Sequence, residues 1–235
     1  MPLPVLAAFL CLDQKYDICG LYNDARKRLF QRFPCDFHLD EGCWEGGGLK
    51  VSPNIHPNVD LLNIARRAGV ISILPHLLYQ CCSQYTPSEI KNGTDPHNGP
   101  VRRLSHGDQT ACLAGLYAIY DAQADTTYRW LHKASSSSDC VAPSICEAAR
   151  HRYLSYAFTR NPPIAGLHQW NTHDDYYEMH HLCKHCSGIA KSEHEAGRQA
   201  FWDRLPSLFD LPSWDELLKE REDMYVFDNF CTDAI

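Results

Sequence analysis

The sequence predicts a mainly α fold, an irregular multi-helix array with long loops, and three observations carry that prediction. Apolar residues recur at spacings of three and four, alternating period-two patterns are scarce, and Gly, Pro and Asn-rich stretches separate the periodic segments. The composition is that of a folded chain. Over 235 residues, 44% are hydrophobic and 22% charged, ordinary globular values at a length that can bury a proper core.

The elements follow in order. Val5, Leu6, Phe9, Leu10 and Leu12 open a first helix; after "KYDI", Leu21, Ala25, Leu29 and Phe33 mark a second that Pro34 stops. Residues 34 to 57 read as a loop, because they carry Gly46 to Gly48 and the prolines Pro53 and Pro57. Asn58 is the expected cap of the next helix, whose apolar face is Leu61, Leu62, Ile64, Ala65 and Ala68 and whose end is Gly69. Ser72 is the expected cap of a short helix through Ile73, Leu74, Leu77, Leu78 and Cys81, with Pro75 tolerated in its first turn. Residues 84 to 104, rich in Gly, Pro and Asn, read as an exposed connection.

Ser105 then caps a long helix that passes Cys112, Leu116 and Ile119, followed by Tyr128, Trp130 and Leu131 and ended by the run Ser135 to Ser138. Another helix begins near Pro143 and is closed by "NPP" at Asn161, and a last helical region is expected from His168 to Arg204. The text "GRQAFWDRLPSLFDLPSWDELLKE" crowds Phe201, Trp202, Leu205, Leu208, Phe209, Leu211 and Trp214 around two prolines. It is expected to fold back over the helices as a clamp, with Ser213 capping a final helix through Leu218. The other reading is an exposed aromatic patch for a partner.

Charge and motifs narrow the function. A net charge of −7 and a pI near 6.0 give no basic face, so nucleic-acid binding is not expected. The apolar run at residues 3 to 12 has no preceding Lys or Arg and no small-residue cleavage site, and it is about half the length of a membrane span. The expectation is an intracellular chain, cytoplasmic or nuclear, without membrane contact and without use of the sequon at Asn92. P-loop, dinucleotide fingerprint, nucleophile elbow and H-E-x-x-H are all missing, so no catalytic residue is assigned and an enzyme is not expected. Glu178 and His181 form a single E-x-x-H, and Asp174 and Asp40 read as exposed acids.

The cysteines are the chemistry-bearing residues, twelve in all. In "HHLCKHC", Cys183 and Cys186 have the C-x-x-C spacing that lets two thiolates reach one ion. Cys140 and Cys146, five residues apart, supply a second pair where the serine run gives way to the next helix. The expected site is structural zinc on Cys140, Cys146, Cys183 and Cys186, pinning the linker to the later helix. His180, His181 and His185 lie close by, and His181 and His185 are rival ligands at a spacing of four. Two other readings stand beside this one. Cysteine packs as a small apolar residue, so both pairs also fit a metal-free helical scaffold. "CKHC" also fits a thiol oxidoreductase, whose nucleophilic thiol belongs at a helix N-terminus; the preceding "DDYYEMHHL" instead reads as helix already under way.

The order of these pieces carries a resemblance. "KYD" at Lys15 to Asp17, "IAR" at Ile64 to Arg66, "ILP" at Ile73 to Pro75 and Tyr79 come first, then Cys140, Cys146, Cys183 and Cys186. Arg198, Trp202, Leu205, Pro206, Phe209, Leu211, Pro212 and Trp214 close the series. Together they resemble the BTB/POZ-domain-containing proteins of basidiomycete fungi, from about Leu3 to Leu218. The resemblance implies an interaction or scaffold protein with protein partners. It makes residues 1 to 33 the closing helices of a BTB fold whose strands are missing, and residues 58 to 235 the helical C-terminal region. Self-association or docking to a cullin-type ubiquitin ligase is implied only where a BTB fold lies upstream, so the chain is expected to be a shortened gene product.

Overall fold

The computed structural model describes residues 5–10, 19–33, 35, 37, 57–94, 100–132, 139–157, 163–170 and 181–230. Among them the fold is mainly helical and has no strand, as the sequence predicts. Most of the expected loop at 34 to 57, the run Ser135 to Ser138, and Asp40, Asp174, Glu178 and His180 lie outside the described residues. No described helix is long and apolar enough to cross a membrane. The chain forms two compact units, residues 1–115 with 205–235, and residues 116–204.

The first unit contains helices α1 (5–10), α2 (Cys19–Arg32), α3 (Pro57–Ala68), α4 (Leu74–Gln84), α5 (Pro87–Asn92), the first half of α6 (His106–Asp125), a 3-10 turn Leu205–Phe209 and α9 (Trp214–Phe230). Leu6 and Leu10 of α1 are fully buried. They belong to the core, beside the buried faces Ala25, Leu29 and Phe33 of α2 and Leu61, Leu62, Ile64 and Ala65 of α3. Gly69 ends α3 at φ +70°. There Val70 N donates to Ala65 O at 2.9 Å and Gly69 N to Arg66 O at 3.4 Å, a left-handed C-terminal cap that favours glycine.

Two expected caps are corrected. Asn58 lies inside the first turn of α3, which starts at Pro57, and its amide donates to Gln84 Oε1 at 2.7 Å. Ile73, with no side-chain capping bond, holds the N-cap position of α4 in place of Ser72. In place of a local side-chain cap, the turn before α4 is held from far away: Glu220 Oε2 accepts from Ile71 N at 2.9 Å and Ser72 N at 2.7 Å. A carboxylate at this helix start satisfies orphan donors and opposes the helix dipole. Arg26 donates to Glu220 O at 2.7 Å, and Arg221 donates to Phe33 O at 2.6 Å while its guanidinium lies 4.3 Å from the Phe30 ring centroid. One turn of α9 thereby ties α2 to the α3–α4 connection.

Residues 84 to 104 are not merely an exposed connection. Thr86 and Glu89 make a reciprocal capping box that starts α5, Ile90, Thr94 and Leu104 are buried, and Thr94 pairs with Arg102 as an isolated bridge. The signal was T-P-S-E itself, a cap, a proline at N1 and a glutamate at N3. Ser105 does cap α6, accepting from Asp108 N at 3.1 Å, and Asp108 also pairs with Arg66 of α3 at 2.8 Å. The expected clamp forms within this unit. The turn Leu205–Phe209 packs on α4, and the Phe209 ring fills the space where Gly115 lacks a Cβ.

The second unit holds the rest of α6, a 3-10 turn Arg129–His132, α7 (Pro143–Ala157) and α8 (Lys184–Arg204). Its core gathers Tyr128, Trp130, Leu131, Tyr153, Ala165 and Ala190, with Trp170 and Leu182 packed against it. Trp130 stacks on Tyr153 at 5.9 Å between centroids. The segment 163–170 is held without regular structure by Gln123, which donates to Pro163 O and accepts from Ala165 N, both at 3.1 Å. A continuous helix from His168 to Arg204 is therefore corrected: α8 starts at Lys184. Within α8, buried His194 bonds His168 O at 2.9 Å, and burial holds its pKa down at about 4. Gly197 lets α8 approach the backbone of Thr126, whose O would lie 2.5 Å from an added Cβ.

Two stability measurements test these contacts. Glu220→Ala leaves the Ile71 and Ser72 amides without their acceptor and should cost about 1–3 kcal/mol in urea unfolding, against under 0.5 kcal/mol for the exposed control Glu216→Ala. Gly197→Ala should destabilise by about 1–3 kcal/mol, because the backbone clash outweighs the 0.5–1 kcal/mol that Ala gains over Gly in a helix. A stabilised Gly197→Ala variant would contradict that close approach.

Candidate metal centre

The four sequence-selected cysteines come together. The Sγ atoms of Cys140, Cys146, Cys183 and Cys186 all lie within 4.8 Å of one another. Cys140 Sγ and Cys183 Sγ are 3.8 Å apart, and a tetrahedron with 2.3 Å metal–sulfur bonds has an edge of about 3.8 Å. The separation exceeds the roughly 2 Å of a disulfide. The cluster is thus a group of free thiols at coordination spacing that could hold a metal ion.

Local structure explains how two loose pairs converge. Cys140 precedes α7, and Cys146 lies in its first turns, with its N–H donating to Ala142 O at 3.0 Å. Cys183 immediately precedes α8 and Cys186 is its third residue. The expectation that "CKHC" lies inside a running helix is therefore corrected: it straddles a helix start. Cys183 acts as the cap, since Cys186 N donates to Cys183 Sγ at 3.4 Å and Ser187 N to Cys183 O at 2.9 Å. Sulfur here replaces the Ser, Thr, Asp or Asn oxygen that normally advertises a helix start. Cys183 N in turn donates to Cys146 Sγ at 3.2 Å, which joins the two pairs directly.

The electrostatics suit anionic sulfur. The N-terminus of α8 meets the cluster, presenting N–H groups and a positive dipole end to the Cys183 sulfur. This helix has no acid in its first turn to compete for them. The Cys186 amide holds the Cys183 thiol down at about 6. Desolvation pushes Cys186 up to about 12 and also raises Cys146, so without a cation the four sulfurs do not all ionise together. A divalent cation would supply the opposing charge and displace the remaining protons.

The histidines do not join them. His185 is exposed and lies 4.0 Å from Asp139 Oδ2, and His181 is exposed. Among the described residues the ligand group is four cysteines. Three further cysteines, Cys81, Cys82 and Cys112, are buried in the first unit, where Cys82 Sγ donates to Cys112 O at 3.4 Å, in keeping with cysteine as a small core residue. The sequence pattern read the start of α7 near Pro143 but missed that of α8, because no capping residue at 183 announced it.

Since at least Cys146 and Cys186 lose a proton on binding, apparent metal affinity should fall by about a hundredfold per pH unit between pH 8 and 7, and more steeply below 6 where Cys183 also protonates. Competition with a chromophoric chelator reads this directly, and a pH-independent affinity would contradict a thiolate ligand set. No family model, no curated protein and no solved structure matches this chain.

Proposed function

We propose that this chain is a non-enzymatic interaction or scaffold region fastened by one structural zinc ion on Cys140, Cys146, Cys183 and Cys186. The observation that carries the proposal is the spacing of the four sulfurs, all within 4.8 Å. Four protein ligands close a tetrahedral site and leave no position for water or substrate, which is the structural rather than the catalytic arrangement. A donor set of thiolates alone selects soft or borderline metals, and zinc adds no redox chemistry of its own. Its effect would be mechanical: binding free energy becomes folding free energy for the linker around residue 140 and the start of α8. The scaffold role also follows from the resemblance of the ordered motifs to fungal BTB/POZ-domain proteins, with protein partners as its implication.

A thiol oxidoreductase is the second reading, and the start of α8 favours it. Cys183 caps that helix and its thiol is held at about 6, the setting of a nucleophilic cysteine. Against it, the Cys183 sulfur is surrounded by Cys140 and Cys146, which a two-cysteine redox pair does not require.

One experiment separates the readings. Protein purified without chelator should contain about one zinc per chain and release four reactive thiols when the metal is stripped. Cys140→Ser should lower zinc affinity at least tenfold and destabilise the second unit. A redox pair predicts the reverse pattern: no zinc, no effect of Cys140→Ser, and disulfide reductase activity lost in Cys183→Ser.

A further inference from the structure

Beside the cysteine cluster runs a groove of about 560 Å³ lined by Val141, Lys184, His185, Gly188 and Ile189. Its apolar residues are poorly covered: Val141 is 85% exposed and Ile189 40%, and Ile145, next to Cys146, is 55% exposed. Nothing lies within 4 Å of where a Cβ on Gly188 would be. Glycine in a helix interior costs about 0.5–1 kcal/mol relative to alanine, and among the described residues no packing contact at this position accounts for it. Open space over a helical glycine permits close approach by another molecule.

The groove's charge is one-sided. Lys184, Gly188 and Lys191 lie at spacings of four and three, so they share one helix face, with the two lysines about 10 Å apart along the axis. No carboxylate is among the lining residues, Asp139 reaches the edge 4.0 Å from the lining His185, and Glu195 pairs with Arg198. Neither lysine has an ion pair among the described residues. A basic rim on a chain of net charge −7 selects for an acidic partner.

Resting on the zinc reading above, we infer that this groove docks a short peptide segment of a partner protein, with one aliphatic or aromatic anchor side chain and flanking Asp or Glu. The anchor covers Val141 and Ile189 and lies over Gly188, and the carboxylates meet Lys184 and Lys191. A second copy of this chain is a poorer occupant, because a two-fold interface through this face sets the lysines against themselves. Val141 adjoins Cys140, and Lys184 lies between Cys183 and Cys186. The metal clamp therefore fixes one wall of the groove against the other, and docking depends on it.

The full chain, purified with its metal, is panned against a displayed library of random twelve-residue peptides, and the enriched peptides are synthesised and titrated by fluorescence anisotropy. Enriched sequences should share an apolar anchor with Asp or Glu within four residues, and bind with a Kd on the order of 10 μM. Gly188→Phe, which meets open space, should weaken binding at least tenfold with helicity unchanged. The double variant Lys184→Glu with Lys191→Glu should shift enrichment to basic peptides. Failure to enrich, enrichment without charge bias, or binding untouched by Gly188→Phe would each overturn the inference. Metal content is measured on the same samples. One zinc per chain with no peptide binding removes the groove and leaves the clamp; peptide binding unchanged in zinc-free protein removes the clamp's part in it.

Discussion

Four sulfur atoms brought within one coordination sphere constrain everything around them in the second unit. Each pair spans a loop-to-helix junction, so the position of the sulfurs fixes where α7 and α8 begin. The N–H of Cys186 on the sulfur of Cys183 caps the start of α8 with sulfur, and the N–H of Cys183 on the sulfur of Cys146 ties that start to α7. Such a cap is unusual in its charge requirement. Thiols are weak acceptors, whereas thiolates satisfy helix N-termini well, but four thiolates together repel unless a cation sits among them. On the zinc proposal, the backbone geometry and the demand for a cation would be the same constraint seen from two sides.

The first unit solves an equivalent problem with a carboxylate. The turn between α3 and α4 leaves the amides of Ile71 and Ser72 without local acceptors, and Glu220, about 150 positions away, provides one. Arg26 and Arg221 flank that residue and carry the connection on to α2 through Phe30 and Phe33. In both units an anion at a helix start holds distant segments together. The difference lies in the acceptor, a single carboxylate in the first unit and a cluster of four sulfurs in the second.

Legibility in the sequence followed the range of the interaction. Periodic apolar faces and local caps could be read: Gly69 ending α3 and Ser105 starting α6 depend on neighbours a few residues away, and the clamp around Leu205 and Phe209 showed as dense apolar text although its contacts are distant. Caps supplied from a distance could not. Ser72 looked like a cap because serine usually is one, yet Ile73 takes the N-cap position and the Ser72 amide is itself bound by Glu220 of α9. The start of α8 was hidden for a similar reason, since Cys183 is a cap only once other sulfurs surround it. The ligand set itself was readable because C-x-x-C is a spacing constraint on one ion, whereas the meeting of its two halves is a property of the fold. The box at Thr86 and Glu89 is the exception, a local signal obscured by the prolines and asparagines around it.

The closed character of the cysteine cluster bears on what kind of protein this is. Catalytic metal sites keep a coordination position open, and reactive dithiols keep one sulfur accessible to a substrate disulfide. Here Cys146 is buried, Cys140, Cys183 and Cys186 are half-buried, and all four sulfurs lie within 4.8 Å of one another, so a tetrahedral ion among them would have every coordination position taken by the chain. What remains open is the surface beside the cluster, where Val141, Gly188 and Ile189 present apolar surface and vacant space. On the structural-zinc proposal, the residues that would close the coordination sphere also border the groove, since Val141 follows Cys140 and Lys184 lies between Cys183 and Cys186. The contour of the groove would then depend on the sulfurs that keep its two walls in register.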